Sequence, residues 1–163
     1  MFRIGDKVHT HADGRVIFTP EEGARAGQPF AVRACQSMGI ELGGKVITLM
    51  GSQILPVASE LASAEPSISI GLDVAQVSLD LADWAGNGYA RMKWGASITL
   101  NRPGLPPMTW LAGHVTWEKG FGFKSDAGGA PKDEFSGKFT DIKVKYKGRT
   151  LDPFALPGNV QLI

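Results

Sequence analysis

The chain has 163 residues, which is the size of one domain and enough to bury a hydrophobic core. Its 17 basic and 16 acidic side chains nearly cancel, so the overall charge does not point to nucleic acid, an anionic membrane or an acidic substrate. Cys35 is the only cysteine, which excludes an internal disulfide and a cysteine-rich zinc site. There is no signal-peptide pattern and no run of about 18 apolar residues. We therefore expect a soluble protein that is kept inside a cell.

Turn-forming residues are numerous and spread along the chain. The 21 glycines and 10 prolines lie between apolar runs rather than in one linker. This distribution is typical of a β protein with many turns. We predict a single, mainly β domain over residues 1–163, an antiparallel barrel or sandwich with one or two short helices and long loops.

The first part of the chain is predicted to begin with a hairpin. Its strands would be Phe2 to Val8 and Arg15 to Thr19, joined by a turn at Ala12-Asp13-Gly14. Thr19-Pro20-Glu21-Glu22 then has the pattern of a helix start, with a capping hydroxyl, a proline and two carboxylates. The glycines that follow limit that helix to one or two turns.

A second hairpin is predicted after a strand over Phe30 to Met38 that ends at Gly39. Ile40 to Met50 would form it, with Gly43-Gly44 as the turn, because paired glycines can adopt a two-residue primed turn. Pro56 to Ala64 has apolar residues three and four apart, which favours a brief helix ended by Pro66.

The most regular patterns lie in the middle of the chain. Ile68 to Val74 alternates apolar and polar residues, and Val77 to Leu81 does so again after a change of phase. Ala90 to Leu100 alternates on the other side of Gly86-Asn87-Gly88. Alternation on both sides of an Asn-Gly step indicates a hairpin, which we place at the centre of the domain. Val74 to Ala85 also fits a helix, and we favour a strand because the turn needs a partner.

The C-terminal half alternates loops and strands. An exposed loop is predicted over residues 101–108 because it contains three prolines, and a mobile glycine-rich loop over 125–132. Strands are predicted over Trp110 to Trp117 and Ile142 to Tyr146, with a short pairing at Thr150-Leu151. The chain then continues into an apolar, proline-interrupted tail.

Residues that could carry chemistry are few. His9 and His11 would share a strand face near Asp13, but the only other histidine is His114, so the polar end of an exposed hairpin explains them better than a metal site. Cys35 has no visible activating partner and is expected to behave as a small hydrophobe. No nucleophile elbow, phosphate loop or dinucleotide motif is present. We expect no enzyme, no cofactor and no metal.

A short aromatic motif follows the predicted strand at Trp117. Lys119-Gly120-Phe121-Gly122-Phe123 resembles the strand of cold-shock domains that stacks single-stranded bases on aromatic rings. The resemblance implies that Trp117, Phe121 and Phe123 are stacking platforms and that Lys119 contacts phosphate. The spacing between Trp117 and Lys119 is shorter than in that family, and its Phe-x-His step is missing. The alternative is that both phenylalanines project to one side and belong to a β core.

Alternating lysines mark the last clear strand. Lys143, Lys145 and Lys147 could line a nucleic-acid track. Lysines in this pattern more often protect an edge strand from random pairing.

Three segments resemble the tail tube proteins of long-tailed bacteriophages. Ser67 to Asp73 and Gln76 to Ala82 are similar to that family's glycine-leucine-aspartate step leading into an alternating strand. Phe139 to Pro153 resembles its closing hairpin. These patterns cover about a third of the chain, and the first 35 residues have no counterpart.

The tail tube resemblance implies a structural virion protein assembled in the host cytoplasm. Its partners would be further copies of itself in rings, usually hexamers, other tail proteins, and DNA that passes through the lumen without sequence-specific contact. A ring would also remove exposed sheet edges. The residues that we expect at contacts between subunits lie in the glycine hairpin, the proline loop and the tail: Gly43, Gly44, Arg102, Leu105, Leu162 and Ile163.

Two further classes of function remain open. A single-stranded nucleic-acid binder would use the cold-shock-like strand, and a small β-barrel enzyme or ligand carrier would have a pocket around His9, His11 and Trp94. Other virion roles, such as a decoration or neck protein, share the same composition.

Overall fold

The computed structural model describes residues 9–33, 35–50 and 56–155. Within these ranges the chain forms one α-helix and nine strands, preceded by a single 3₁₀ turn at His11–Asp13. In chain order the elements are β1 (Gly14–Pro20), β2 (Phe30–Val32), β3 (Cys35–Met50), β4 (Pro56–Leu72), α1 (Gln76–Ala85), β5 (Trp94–Leu100), β6 (Met108–Lys119), β7 (Asp133–Lys138), β8 (Asp141–Tyr146) and β9 (Arg149–Leu151).

The strands form two antiparallel layers that resemble a sandwich and do not close into a barrel. The front sheet has the order β2-β1-β5-β6-β8-β9. The back sheet has the order β6-β7-β4-β3. The prediction of a mainly β, antiparallel barrel or sandwich is thus confirmed, in its sandwich form.

Strand β6 belongs to both sheets. Residues 108–112 pair with both β5 and β8 in the front sheet, Gly113 pairs with β8 and Val115 with β5. Thr116, Trp117 and Lys119 pair with β7 in the back sheet. Between these two parts, Gly113 and His114 lie opposite the single residue Gly95, which is a β-bulge. His114 has a φ of 56°, so the chain turns sharply there. We call this bend the β6 corner.

The core lies between the two inner faces and follows the alternation of the strands. Val16 and Phe18 on β1, Ile68 and Ile70 on β4, and Phe135 on β7 are almost completely buried. Each such side chain contributes about 1.5–3 kcal/mol by leaving water. The period of two in the sequence therefore becomes one apolar layer shared by both sheets.

Aromatic rings fill the part of the core next to the β6 corner. Phe135 lies at the centre, with ring centroids 5.4 Å from Phe18, 5.2 Å from Trp117 and 4.9 Å from Phe121. All three pairs have edge-to-face geometry, which the quadrupoles of the rings favour. We call Phe18, Trp94, Trp117, Phe121 and Phe135 the aromatic cluster.

The predicted central hairpin is wrong in its first strand. Residues 76–85 form α1, which buries Ser78, Leu81 and Ala85, whereas Leu79 on the opposite side is 57% exposed. The helix ends at Gly86, whose φ of 88° suits glycine alone, so the Asn-Gly step follows a helix and does not join two strands. These residues form a helix because the helical spacing places their apolar side chains on one face, which is buried against the sheet.

The predicted brief helix and glycine turn are also wrong. Residues 56–64 belong to strand β4, which continues through Pro66. Gly39, Gly43 and Gly44 lie inside the uninterrupted strand β3, where Gly43 pairs with Glu65. The connection between β3 and β4 falls in residues 51–55, outside the described residues. Pairing between two long strands therefore overrides the local preference of glycine for a turn.

The other predictions have mixed outcomes. Strand β1 and the strands around Ile98, Trp110 and Val144 are found where the alternation placed them. Pro20 ends β1 and is followed by turns, so the predicted helix start there is wrong. The predicted strand over Phe2 to Val8 lies outside the described residues.

Gly137 offers a test of the packing at the β6 corner. A Cβ atom at this position would lie 2.6 Å from the carbonyl oxygen of Thr116 and 2.9 Å from the ring of Trp117. We expect Gly137→Ala to lower the free energy of unfolding by about 2 kcal/mol, because the backbone oxygen cannot move away. Urea unfolding measures this change.

Gly39→Ala is the matched control for that experiment. Gly39 is also a strand glycine, but the nearest atom to an added Cβ is the Ser69 Oγ at 3.7 Å, which is ordinary contact. We expect no loss of stability there. Equal losses at the two positions would contradict the packing described for the corner.

Candidate functional site

The residues of the cold-shock-like motif do not form a common stacking surface. Trp117 and Phe121 are half-buried and belong to the aromatic cluster. Phe123 is 74% exposed, so the two phenylalanines do not project to the same side as the sequence predicted. Phe121 has a φ of 58°, which shows that the chain has left the regular strand at this point. The Lys119 Nζ lies 3.0 Å from the Glu134 Oε2 and forms an exposed ion pair.

A cleft of about 500 Å³ opens beside this motif. Its charged lining residues are Lys119, Lys124, Lys132, Asp126, Asp133 and Glu134. The carboxylate of Asp133 is buried and accepts a hydrogen bond from the Glu134 N–H at 2.8 Å through Oδ1, whereas its Oδ2 has no hydrogen-bond partner among the described residues. Because cations and carboxylates balance in number, the cleft as a whole favours neither an anionic nor a cationic ligand.

The histidines near the start of the described chain fasten that segment to its surroundings. The His9 Nε2 lies 2.7 Å from the Pro106 carbonyl oxygen, and the His11 Nε2 lies 3.1 Å from that of Cys35. The two rings therefore point to different partners and do not share a strand face as the sequence predicted. A backbone hydrogen bond from Thr10 lowers the pKa of Asp13. Residues 9–33, 35–50 and 56–155 contain no group of three metal-ligating side chains.

The pocket expected around His9, His11 and Trp94 is not formed. Trp94 is completely buried in the core, and its indole N–H donates to the Tyr89 carbonyl oxygen at 3.1 Å. A separate groove of about 380 Å³ contains His11 together with Val32 and Cys35. Trp94 and His11 thus lie in different parts of the molecule.

Cys35 is half-buried at the start of β3. Burial raises the pKa of its thiol to about 11. The thiolate is the reactive form of cysteine, so this environment suppresses nucleophilic reactivity at neutral pH.

Alkylation kinetics test the state of this thiol. We expect Cys35 in the folded protein to react with iodoacetamide at pH 8 at least about tenfold more slowly than in the denatured protein. The lower thiolate fraction outweighs the higher nucleophilicity of a thiolate with a raised pKa. The native rate should increase steeply toward pH 11, and a native rate equal to the denatured one would contradict the burial.

A polar contact that the sequence did not reveal holds the β6 corner. The carboxylate of Glu21 accepts two hydrogen bonds from His114, one from the backbone N–H at 3.0 Å and one from the ring Nδ1 at 2.8 Å. The residues are separated by 93 positions. Glu21 follows β1 directly, so the clamp joins the β1 end of the front sheet to the bend between the sheets.

Removal of the Glu21 clamp should destabilise the fold. We expect Glu21→Ala to lower the free energy of unfolding by about 1–2 kcal/mol, because the unusual φ of His114 loses its charge-assisted bonds. Glu22→Ala, at the exposed neighbouring position, should change it by less than about 0.5 kcal/mol. Thermal and urea unfolding of the two variants measures the difference, and equal stabilities would exclude a role of the clamp.

The residues expected at subunit contacts are distributed over three places. Gly43 and Gly44 lie in β3, and Arg102 and Leu105 are half-buried in the loop between β5 and β6. Leu162 and Ile163 lie outside the described residues. Their role at subunit contacts stays a prediction.

A two-stranded ribbon extends beyond the back sheet. Strand β7 pairs with β4 only over Ser67 to Leu72. Residues 43–50 of β3 and 56–65 of β4 pair with one another and with no third strand in the described part of the chain. We call this pair the distal ribbon. At about 3.3 Å per residue it is roughly 25–30 Å long.

The described helices include none that is long and apolar enough to cross a membrane.

No established sequence family and no curated protein matches the chain. Its fold, however, matches solved structures. One is a chain in the cryo-EM structure of the anti-feeding prophage baseplate, 6-fold symmetrised, with a TM-score of 0.58 and 14% identity over 86% of this chain and 97% of that chain. Another belongs to the sheath-tube complex, in the extended state, of an extracellular contractile injection system called PVC; its TM-score is 0.53, with 13% identity over 81% of this chain and 88% of that chain. At these identities the likeness concerns the fold alone, and this chain has the fold of components of two contractile injection particles.

Proposed function

We propose that this chain is a structural subunit of a phage-tail-like particle and assembles with copies of itself into rings that stack into a tube. Such a subunit needs no catalytic site. The resemblance of three sequence segments to tail tube proteins and the fold shared with injection-particle components support the proposal. The 6-fold symmetrised assembly that contains one of the matched chains supports a ring of six.

The distal ribbon is the observation that carries the proposal. A two-stranded ribbon without a packing partner is at best marginally stable in water. This one has Val46 paired with Leu61 and Leu49 paired with Ala58, so its register joins apolar residues across the strands. A neighbouring subunit that packs against the ribbon would provide the missing contacts.

Open sheet edges support the same conclusion. Within the described residues, β2 and β9 pair on one side only in the front sheet, and β3 does so in the back sheet. Exposed edges invite pairing with other chains, and closure of a ring is one way to satisfy them. We further propose that DNA passes through the lumen of the tube and that the subunits contact other tail proteins in a virion.

Purification followed by light scattering and negative-stain microscopy tests the proposal. We expect the full-length chain to form rings or hollow tubes in a concentration-dependent manner. A variant in which residues 45–63 are replaced by Asn-Gly should remain folded but monomeric. The replacement leaves Gly44 and Ala64 paired across a two-residue turn that suits a hairpin.

Gly128→Asn is the matched control, because it places the same Asn-Gly dipeptide in the exposed loop before β7. Gly128 has a φ of 86°, which asparagine tolerates, and an added Cβ there meets nothing within 4 Å. This variant should assemble like the unmodified chain. An unmodified chain that is monomeric at every concentration would contradict the proposed function.

A second candidate function is the binding of single-stranded nucleic acid through Phe123, and the same purified chain can test it. Its exposed ring lies at the cleft that Lys119 and Lys124 also line. If the chain is monomeric and is retained on single-stranded oligonucleotides, with loss of retention at high salt and in Phe123→Ala, that function is favoured instead.

A further inference from the structure

The outer face of α1 is apolar and acidic. Leu79 is 57% exposed, and Asp80 and Asp83 are exposed beside it at helical spacings of one and four residues. Neither aspartate forms an ion pair with a described residue, and residues 74–90 contain no basic side chain. We call Leu79, Asp80 and Asp83 the α1 face.

The position of these carboxylates is unfavourable within the isolated chain. Asp83 lies in the last turn of α1 and Asp80 three residues before it, and the helix has no acidic residue in its first turn and no basic residue in its last turn. From outside the helix, the Arg25 Nε donates to the Trp84 carbonyl oxygen at 3.2 Å. The carboxyl end of a helix carries partial negative charge and disfavours nearby anions. Arg25 forms no ion pair with either aspartate, so a cationic partner at this face would neutralise both of them.

The hairpin of β8 and β9 presents the opposite combination. Lys145, Lys147 and Arg149 are exposed, and Leu151 is 49% exposed. Lys143 is already paired with Asp152, with the Nζ 2.9 Å from Oδ2. Arg149 pairs with Tyr146 and Leu151 with Val144, so these two side chains share one side of the hairpin, whereas Lys145 pairs with Thr150 and lies on the other side. We call Lys147, Arg149 and Leu151 the β9 face.

The basic groups of the β9 face are held on a tight turn. Lys147 and Gly148 both have positive φ, at 51° and 75°, as in a type I′ turn. Within the described residues, no carboxylate pairs with Lys145 or Arg149. The Lys147 Nζ lies 5.3 Å from the centre of the Tyr146 ring. The hairpin is therefore a fixed, unneutralised basic surface with an apolar residue beside it.

The two faces lie at opposite edges of one sheet. Trp84 of α1 contacts Phe30 of β2, with ring centroids 5.2 Å apart, and β2 is the first strand of the front sheet. Strand β9 is the last strand of the same sheet. Six strands at a spacing of about 4.8 Å separate the edges by roughly 24 Å.

We infer that the α1 face of one subunit docks on the β9 face of the next. The inference rests on the proposed self-assembly and assigns the two surfaces that meet in it. The occupant is a second copy of this chain, because the chain carries both a basic-apolar and an acidic-apolar surface with unpaired charges. Complementary surfaces on different edges give a head-to-tail contact that repeats from subunit to subunit, whereas a self-complementary patch would stop at a dimer.

Charge reversal tests the contact. Asp80→Lys with Asp83→Lys makes the α1 face basic, and Lys147→Glu with Arg149→Glu makes the β9 face acidic. Each double variant alone should raise the concentration needed for assembly at least about tenfold, because like charges then face one another. The four changes together in one chain should restore assembly.

A mixture of the two double variants tests whether the two reversed faces pair with the faces that they are designed to meet. In an equimolar mixture each reversed face meets an oppositely charged face on the other variant, so the mixture should assemble although neither component does alone. Differently labelled components should be incorporated in a one-to-one ratio. A symmetric contact between like faces predicts instead that each double variant alone assembles as well as the unmodified chain, because both sides of the contact then change sign together.

Two matched controls change the net charge by the same amount at other exposed positions. Glu118→Lys with Asp126→Lys, and Lys124→Glu with Lys132→Glu, should assemble like the unmodified chain. Circular dichroism and thermal unfolding check that every variant is folded. If a reversed variant does not fold, Asp80→Asn with Asp83→Asn replaces it, and weaker assembly with retained folding is then the expected result.

The outcomes separate this inference from the proposed function. If the unmodified chain assembles and both reversed variants assemble equally well, the contact between the α1 and β9 faces is wrong, and self-assembly stands. If the unmodified chain never assembles, the proposed function fails and the docking inference fails with it.

Discussion

The architecture depends on the bend in strand β6. One strand supplies hydrogen bonds to the front sheet before the bend and to the back sheet after it, so the position of the bend fixes how the two inner faces meet. At this bend His114 has a positive backbone φ, which residues other than glycine rarely adopt. The carboxylate of Glu21 holds it with two hydrogen bonds, and Gly137 lets the returning strand approach the Thr116 backbone closely. The aromatic cluster then fills the space that the bend encloses.

Beyond this bend the strands of the two sheets differ in length, and several strand edges have no partner strand among the described residues. Strand β7 is six residues long, whereas β3 and β4 have 16 and 17 residues, so the longer pair extends past its neighbour as the distal ribbon. In the front sheet, β2 and β9 are three-residue strands at the two edges. Short edge strands limit uncontrolled pairing, but a long ribbon with apolar residues does not have that protection. The two long strands therefore pair only with each other beyond the end of β7, among the described residues.

Local patterns in the sequence predicted the parts of the fold that depend on local burial. The alternation over Ile68 to Leu72 and over Ile142 to Tyr146 reports a sheet face directly, and both segments are strands. Residues 76–85 fit two periods at once, and the choice depended on whether the chain after Asn87 returns as a partner strand, which is not a local property. The paired glycines inside β3 were misleading because they pair with Glu65 and Ala64 of β4, which stabilises them as strand. The contact between Glu21 and His114 had no signal at all, since it joins positions 93 residues apart and depends on the bend itself.

Several features that destabilise a single subunit would stabilise a ring of subunits. Asp83 lies in the last turn of α1, where the helix dipole disfavours an anion, the basic hairpin of β8 and β9 has unneutralised charges, and the distal ribbon pairs with no third strand among the described residues. Each of these costs falls when a neighbouring copy supplies an opposite charge or an apolar surface. Because the charged faces lie at opposite edges of the front sheet, one interface would join the α1 face of one subunit to the β9 face of the next. A row of subunits joined in this way would have one free α1 face at one end and one free β9 face at the other. Only closure into a ring satisfies every copy equally, which is why a repeating head-to-tail contact suits this distribution of charge better than a dimer.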